Sequence, residues 1–128
     1  MKCFLSAMLL ACLPLACAPG VHSAGRNYTD PAVAITVNRG EVFTISLESN
    51  RTTGYRWVLD QEPDGKVVRY VGTEYRPADS RLAGAGGLEI WTFEAVNKGS
   101  AVICLHYLRP WEKGIPAVRK AEFPVLVK

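Results

Sequence analysis

Along most of this chain apolar and polar residues alternate one by one. Val33-Ala34-Ile35-Thr36-Val37 alternates with period two, and in Glu41–Ser49 the residues Phe43, Ile45 and Leu47 share one face while Thr44, Ser46 and Glu48 share the other. Successive side chains of a strand point to opposite sides, so this pattern predicts a sheet with one face packed and one wet. The same reading predicts short strands over Arg56–Gln61, Val67–Tyr75 and Leu88–Val96, the last with Trp91, Phe93 and Ala95 inward. Ala101–Leu108 is apolar on both faces, as a central strand should be, and the final strand turns Ala121, Phe123, Val125 and Val127 inward. Pro124 on its other face has no N–H for a ladder and argues for an edge position.

The punctuation between these segments fits. Asn38-Arg39-Gly40 reads as a turn, Glu62-Pro63-Asp64-Gly65 suits a type I turn, and Asn97-Lys98-Gly99-Ser100 has the composition of a hairpin. Arg76–Gly87 loses periodicity and ends in Gly84-Ala85-Gly86-Gly87, a long connector for a small domain. No segment sustains a 3.6-residue period. About seven short strands spaced by turns predict an all-β protein, an immunoglobulin-like β-sandwich of about seven or eight strands. The usual pair of cysteines linking the two sheets is missing from the body of the sequence.

Composition adds limits. The chain has 128 residues, 48% hydrophobic and 21% charged, enough for one domain with a core of its own. A net charge of +3, with no dense run of Lys or Arg, argues against nucleic-acid binding. Residues 1–23 read as a signal peptide: Lys2 is a short positive region and Phe4–Leu15 an apolar run too short to span a membrane, which takes roughly 20 residues. Two exits stay open. Val21-His22-Ser23 suits cleavage near Ala24, giving a soluble product. Leu13-Pro14-Leu15-Ala16-Cys17 resembles a lipoprotein box, which would lipidate Cys17 and attach the protein to a bacterial membrane. Either exit implies export, periplasmic or secreted. Residues 24–32 then form a polar linker and 33–128 the domain. Cys3, Cys12 and Cys17 lie in the leader, so Cys104 is the body's single cysteine, read here as a small buried hydrophobe.

The body offers little to a catalyst. Its one histidine, His106, sits two residues from Cys104 on the same strand face, and no third group is evident; no enzyme, metal site or cofactor is expected. Three loops instead lack a packing explanation. Asn50-Arg51-Thr52-Thr53-Gly54-Tyr55 puts two hydroxyls at a reversal for which Gly54 supplies positive φ. The others are Gly84–Gly87 and Arg109-Pro110-Trp111. Connections separated by an even number of strand reversals emerge at one end of a sandwich, so the three can share a rim, as antibody recognition loops do.

Asn-x-Thr-Thr-Gly-Tyr-x-Trp, then Gly-x-Gly-Gly, then Arg-Pro-Trp, in this order from Asn50 to Trp111, resembles the chagasin family of cysteine protease inhibitors over about Val33–Val127. The resemblance implies reversible, tight binding to papain-type, cathepsin-like proteases by a monomer. Thr52, Thr53 and Gly54 would enter the catalytic cleft, with Asn50 and Tyr55 flanking them. Gly84, Ala85, Gly86 and Gly87 would lie along one side, and Arg109, Pro110 and Trp111 would grip the other. Arg51 stands where the family usually has proline. Asn27-Tyr28-Thr29 and Asn50-Arg51-Thr52 both match the N-glycosylation pattern, and a glycan on Asn50 would block the proposed cleft contact. The alternative reading is an exported immunoglobulin-like adhesion module that uses the same rim on a partner other than a protease.

Overall fold

The computed structural model describes residues 25–78 and 86–128. Eight strands run in chain order: β1 (Asn27–Tyr28), β2 (Ile35–Val37), β3 (Val42–Ser49), β4 (Arg56–Leu59), β5 (Val68–Pro77), β6 (Gly87–Ala95), β7 (Gly99–Leu108) and β8 (Arg119–Val127). They form two four-stranded sheets, ordered β1-β3-β6-β5 and β2-β8-β7-β4. The architecture is the expected immunoglobulin-like sandwich. Its core is a single cluster fed by the inward positions of both sheets: Phe43, Ile45, Phe93 and Ala95 from one, Ile35, Ile103, Leu105, Phe123 and Val125 from the other. Phe43 and Phe93 stack at 5.7 Å between ring centroids, a cross-strand pair of β3 and β6.

Four local readings need correction. Asn27-Tyr28, expected within a polar approach, forms β1 and runs parallel to β3. Asn27 Oδ1 accepts hydrogen bonds from Thr44 Oγ1 (2.9 Å) and Ser46 Oγ (2.7 Å), so the outward hydroxyls of β3 are covered and Ser46 is buried. Asn97-Lys98 is not a hairpin turn, because β6 and β7 belong to different sheets; Val96 and Asn97 N–H both donate to Val67 O, and Asn97 Nδ2 donates to Lys66 O. Strand β8 is internal, between β2 and β7, but β2 pairs only with Val125–Val127, so Pro124 is flanked by β7 alone and the rule behind the edge prediction holds at its own position. β5 continues through Arg76 and Pro77, which pair with Leu88 and Gly87; as an edge strand it tolerates the proline.

Strand β7 is central, as expected, but only one face is buried. Ile103, Leu105 and Tyr107 point into the core, while Val102 is exposed and Cys104 and His106 are half-buried on the outer side. Cys104 is therefore not a core residue.

Candidate functional site

The three connections β3–β4, β5–β6 and β7–β8 leave the sandwich at one end, and described residues of all three meet there. The first is built around Asn50. A 3₁₀ turn follows it over Arg51–Thr53, with Asn50 as N-cap in an extended conformation (φ −117°, ψ 97°). Its Oδ1 accepts from the backbone N–H of Thr52 at 3.1 Å and from Thr52 Oγ1 at 2.6 Å. Its carbonyl accepts from Thr53 Oγ1 at 2.6 Å. Asparagine is favoured at such a cap because its short carbonyl reaches the free N–H groups of the first turn. The turn ends at Gly54, whose φ of +82° is the left-handed conformation that disfavours a Cβ, and whose N–H donates to Arg51 O at 3.1 Å.

The third loop is tied to this tip. Arg109 Nε donates to the carbonyl of Thr53 at 3.1 Å, and its Nη1 pairs with Glu112 Oε1 at 3.0 Å. The hydrogen bond to Glu112 raises the guanidinium pKa further, so the group stays charged. Its Cζ lies 4.5 Å from the ring centroid of Tyr55, a cation–π contact. Trp111 is 62% exposed, so its indole is not folded into the core, and its ring edge lies so close to Gly54 that a Cβ there would overlap it. Thus Gly54 is glycine twice over, for its φ and for the indole.

Gly84 and Ala85 lie outside the described residues. Gly86 and Gly87 do not. Gly86 stands beside the first loop: a Cβ on it would lie 3.4 Å from Ser49 O and 3.8 Å from Asn50 Cβ. Gly87 begins β6 opposite Ser49, and a side chain there would collide with the Arg76 carbonyl and the Tyr75 hydroxyl. Its lack of a side chain has a packing reason.

The sequence reading did not reveal three supporting contacts. Tyr107 is buried in phase with Ile103 and Leu105 and so looks like core, yet its hydroxyl accepts from Asn50 N–H at 3.0 Å and its ring stacks on Tyr55 at 5.4 Å. Arg51 reaches across to β5, with Cζ 4.4 Å from the centroid of Tyr75. Glu89, 1% exposed, accepts from the backbone N–H of Trp57 at 3.0 Å and joins β6 to β4 across the sandwich. Glu89 could have been found by its phase, since it shares a face with Trp91, Phe93 and Ala95. The pairing of Tyr107 with Asn50, 57 residues apart, has no local signal.

Among its described residues the rim has hydroxyls and backbone groups at a hydrogen-bonded tip, an exposed indole and a fixed cation, and no nucleophile–base pair. Such a surface suits binding.

The profile of the Chagasin family peptidase inhibitor I42 matches residues 36–125. The chain is similar to Chagasin of Trypanosoma cruzi, 38% identical over 80 residues, spanning 60% of this chain and 73% of the relative. Among solved structures it resembles the cysteine protease inhibitor EhICP2 from Entamoeba histolytica, with TM-score 0.63, 22% identity, and coverage of 80% of this chain and 95% of that one. It also resembles PbICP-C, solved in complex with falcipain-2, with TM-score 0.58, 20% identity, and coverage of 81% and 91%. At those identities the two structures speak for the fold.

Proposed function

The chain belongs to the chagasin family of peptidase inhibitors, and we propose that it inhibits papain-family cysteine proteases reversibly by seating its three-loop rim in their active-site cleft. The observation that carries this reading is the bond from Arg109 to the Thr53 carbonyl with the indole of Trp111 against Gly54. Two loops distant in sequence act there as one body.

A bound peptide is cut when its scissile carbonyl reaches the nucleophile in attack geometry. Here the tip is a 3₁₀ turn, not an extended strand. Three carbonyls there are already engaged: Asn50 O by Thr53, Arg51 O by Gly54 and Thr53 O by Arg109. A 3₁₀ turn held this way fills a cleft without the extended backbone of a bound substrate. Preorganisation also lowers the ordering entropy lost on association. Trp111, large and exposed, is the anchor on one side, with Pro110 restricting its backbone. On the other side Gly86, beside Ser49 and Asn50 and without a side chain, offers backbone groups to an extended cleft edge. PbICP-C, of the same fold, has falcipain-2 as its partner.

The leader extends the proposal. Lys2 and the apolar run Phe4–Leu15 support export to the periplasm or the medium, with Cys17 as the residue for a lipid anchor. The unit of inhibition is one chain per protease.

Titrating a fixed amount of papain with the purified protein tests this. Activity should fall linearly to one equivalent and return on dilution with excess substrate. Full activity at a large excess of folded protein would remove the reading and favour a partner other than a protease.

A further inference from the structure

We propose a metal site on the outer face of the β2-β8-β7-β4 sheet, in which Cys104, His106 and Asp60 bind a zinc ion with Glu122 beside them. One ligand atom from each of Asp60, Cys104 and His106 lies within 4.8 Å of the other two. Cys104 Sγ is 3.5 Å from His106 Nε2 and 4.0 Å from Glu122 Oε1; the other ring nitrogen, Nδ1, which cannot bind the same ion, is 3.8 Å from Asp60 Oδ1. Zinc–sulfur and zinc–nitrogen bonds of the usual lengths, arranged tetrahedrally, put ligand atoms about 3.5 Å apart. The sulfur and nitrogen already stand at that separation.

Strands β7 and β8 and the residue after β4 build the cluster. Cys104 and His106 are adjacent outward positions of β7, and Glu122 pairs with Cys104 from β8. Asp60 follows β4 and is fixed by its backbone N–H, which donates to Cys104 O at 3.0 Å. This is why spacing along the sequence does not reveal it. Two carboxylates, those of Glu122 and Asp60, stand beside the sulfur. A dication answers that field, and binding exchanges the thiol proton for a metal–thiolate bond. Thiolate with imidazole and carboxylate is a donor set for zinc, whereas all-oxygen sets suit magnesium or calcium. None of these four residues belongs to the rim, so the site is distinct from the protease-binding loops.

Cobalt(II) is the probe, because a tetrahedral cobalt–thiolate shows charge-transfer and intense d–d absorption. Metal-free full-length protein, reduced, is titrated with cobalt chloride and then with zinc chloride. The parent should bind one equivalent more than the Cys104→Ser variant. That subtraction removes any contribution of Cys3, Cys12 and Cys17. Zinc should bleach the band. His106→Gln and Asp60→Asn should each weaken binding about tenfold or more. Equal stoichiometry and spectra for parent and Cys104→Ser would overturn the site, as would unchanged affinity in His106→Gln. Circular dichroism and papain titration of each variant verify that the fold and rim are intact.

Discussion

Arg109 and Thr53 are 56 residues apart, yet the guanidinium of one holds the carbonyl of the other at 3.1 Å. The same side chain pairs with Glu112 and lies over Tyr55, so it has three partners in three directions. Lysine has no rigid fork to serve them together. Arg109→Lys should therefore weaken papain inhibition about tenfold, the loss of roughly one charged hydrogen bond. Its thermal midpoint should stay close to the parent's. An unchanged inhibition constant would mean that this bond does not order the rim.

Trp111 and Gly54 form the second joint. Trp111→Ala should cost about 2 kcal/mol or more of binding, a factor of roughly 30, as expected for a buried aromatic anchor. Gly54→Ala strains a φ of +82° and pushes the indole away. It should weaken inhibition as well, with a small loss of stability of about 1–2 kcal/mol from the left-handed conformation. In the Gly54→Ala, Trp111→Ala double variant the effects should be less than additive, because the clash is gone. Strict additivity in inhibition titrations would show the two residues to be independent.

Thr53 tests the tip itself. Thr53→Ala removes the Oγ1 bond to the Asn50 carbonyl, and Asn50→Ala removes the cap that organises the turn. Loss of such a cap costs about 1 kcal/mol locally. Both variants should inhibit more weakly while unfolding near the parent's urea midpoint. Normal inhibition by both would place the contact elsewhere.

The strands were legible because a strand's period of two is local. Phe43, Ile45 and Leu47 announced their face, and Trp91, Phe93 and Ala95 theirs. What failed was pairing. Asn27 looked like linker because nothing nearby shows that its side chain meets Thr44 and Ser46. Asn97-Lys98 looked like a hairpin because composition does not reveal that its two strands lie in different sheets. At the rim, Asn50, Thr53, Gly54, Arg109 and Trp111 stood out as residues without packing work. Their partners did not, since Tyr107 reads as core and Tyr75 as an ordinary strand residue. Cys104 was misplaced because an apolar run on both faces hides which face is inward.

Glu89 should be a keystone of the fold, not of binding. Its carboxylate takes the Trp57 N–H across the sandwich and is almost fully buried. Glu89→Ala leaves that donor unpaired and opens a cavity, so urea denaturation should show a loss of about 2–4 kcal/mol. Inhibition measured where the variant is still folded should be close to normal. A loss below about 1 kcal/mol would show that water replaces the carboxylate without penalty.

Arg51 raises the question of how this tip stays stiff without proline. Asn50 already has the extended backbone that a residue before proline requires. Arg51 is the first residue of the turn, a position that proline favours. Arg51→Pro should therefore fold normally. The native arginine is tethered differently, over the Tyr75 ring on the edge strand β5, a contact of about 0.5–1 kcal/mol when exposed. Tyr75→Ala should then weaken inhibition by the parent a few-fold and have little effect in the Arg51→Pro background, where the ring already fixes the backbone. If Tyr75→Ala acts equally in both backgrounds, Tyr75 matters for some reason other than holding Arg51, and the tip owes its stiffness to Asn50 and Arg109 alone.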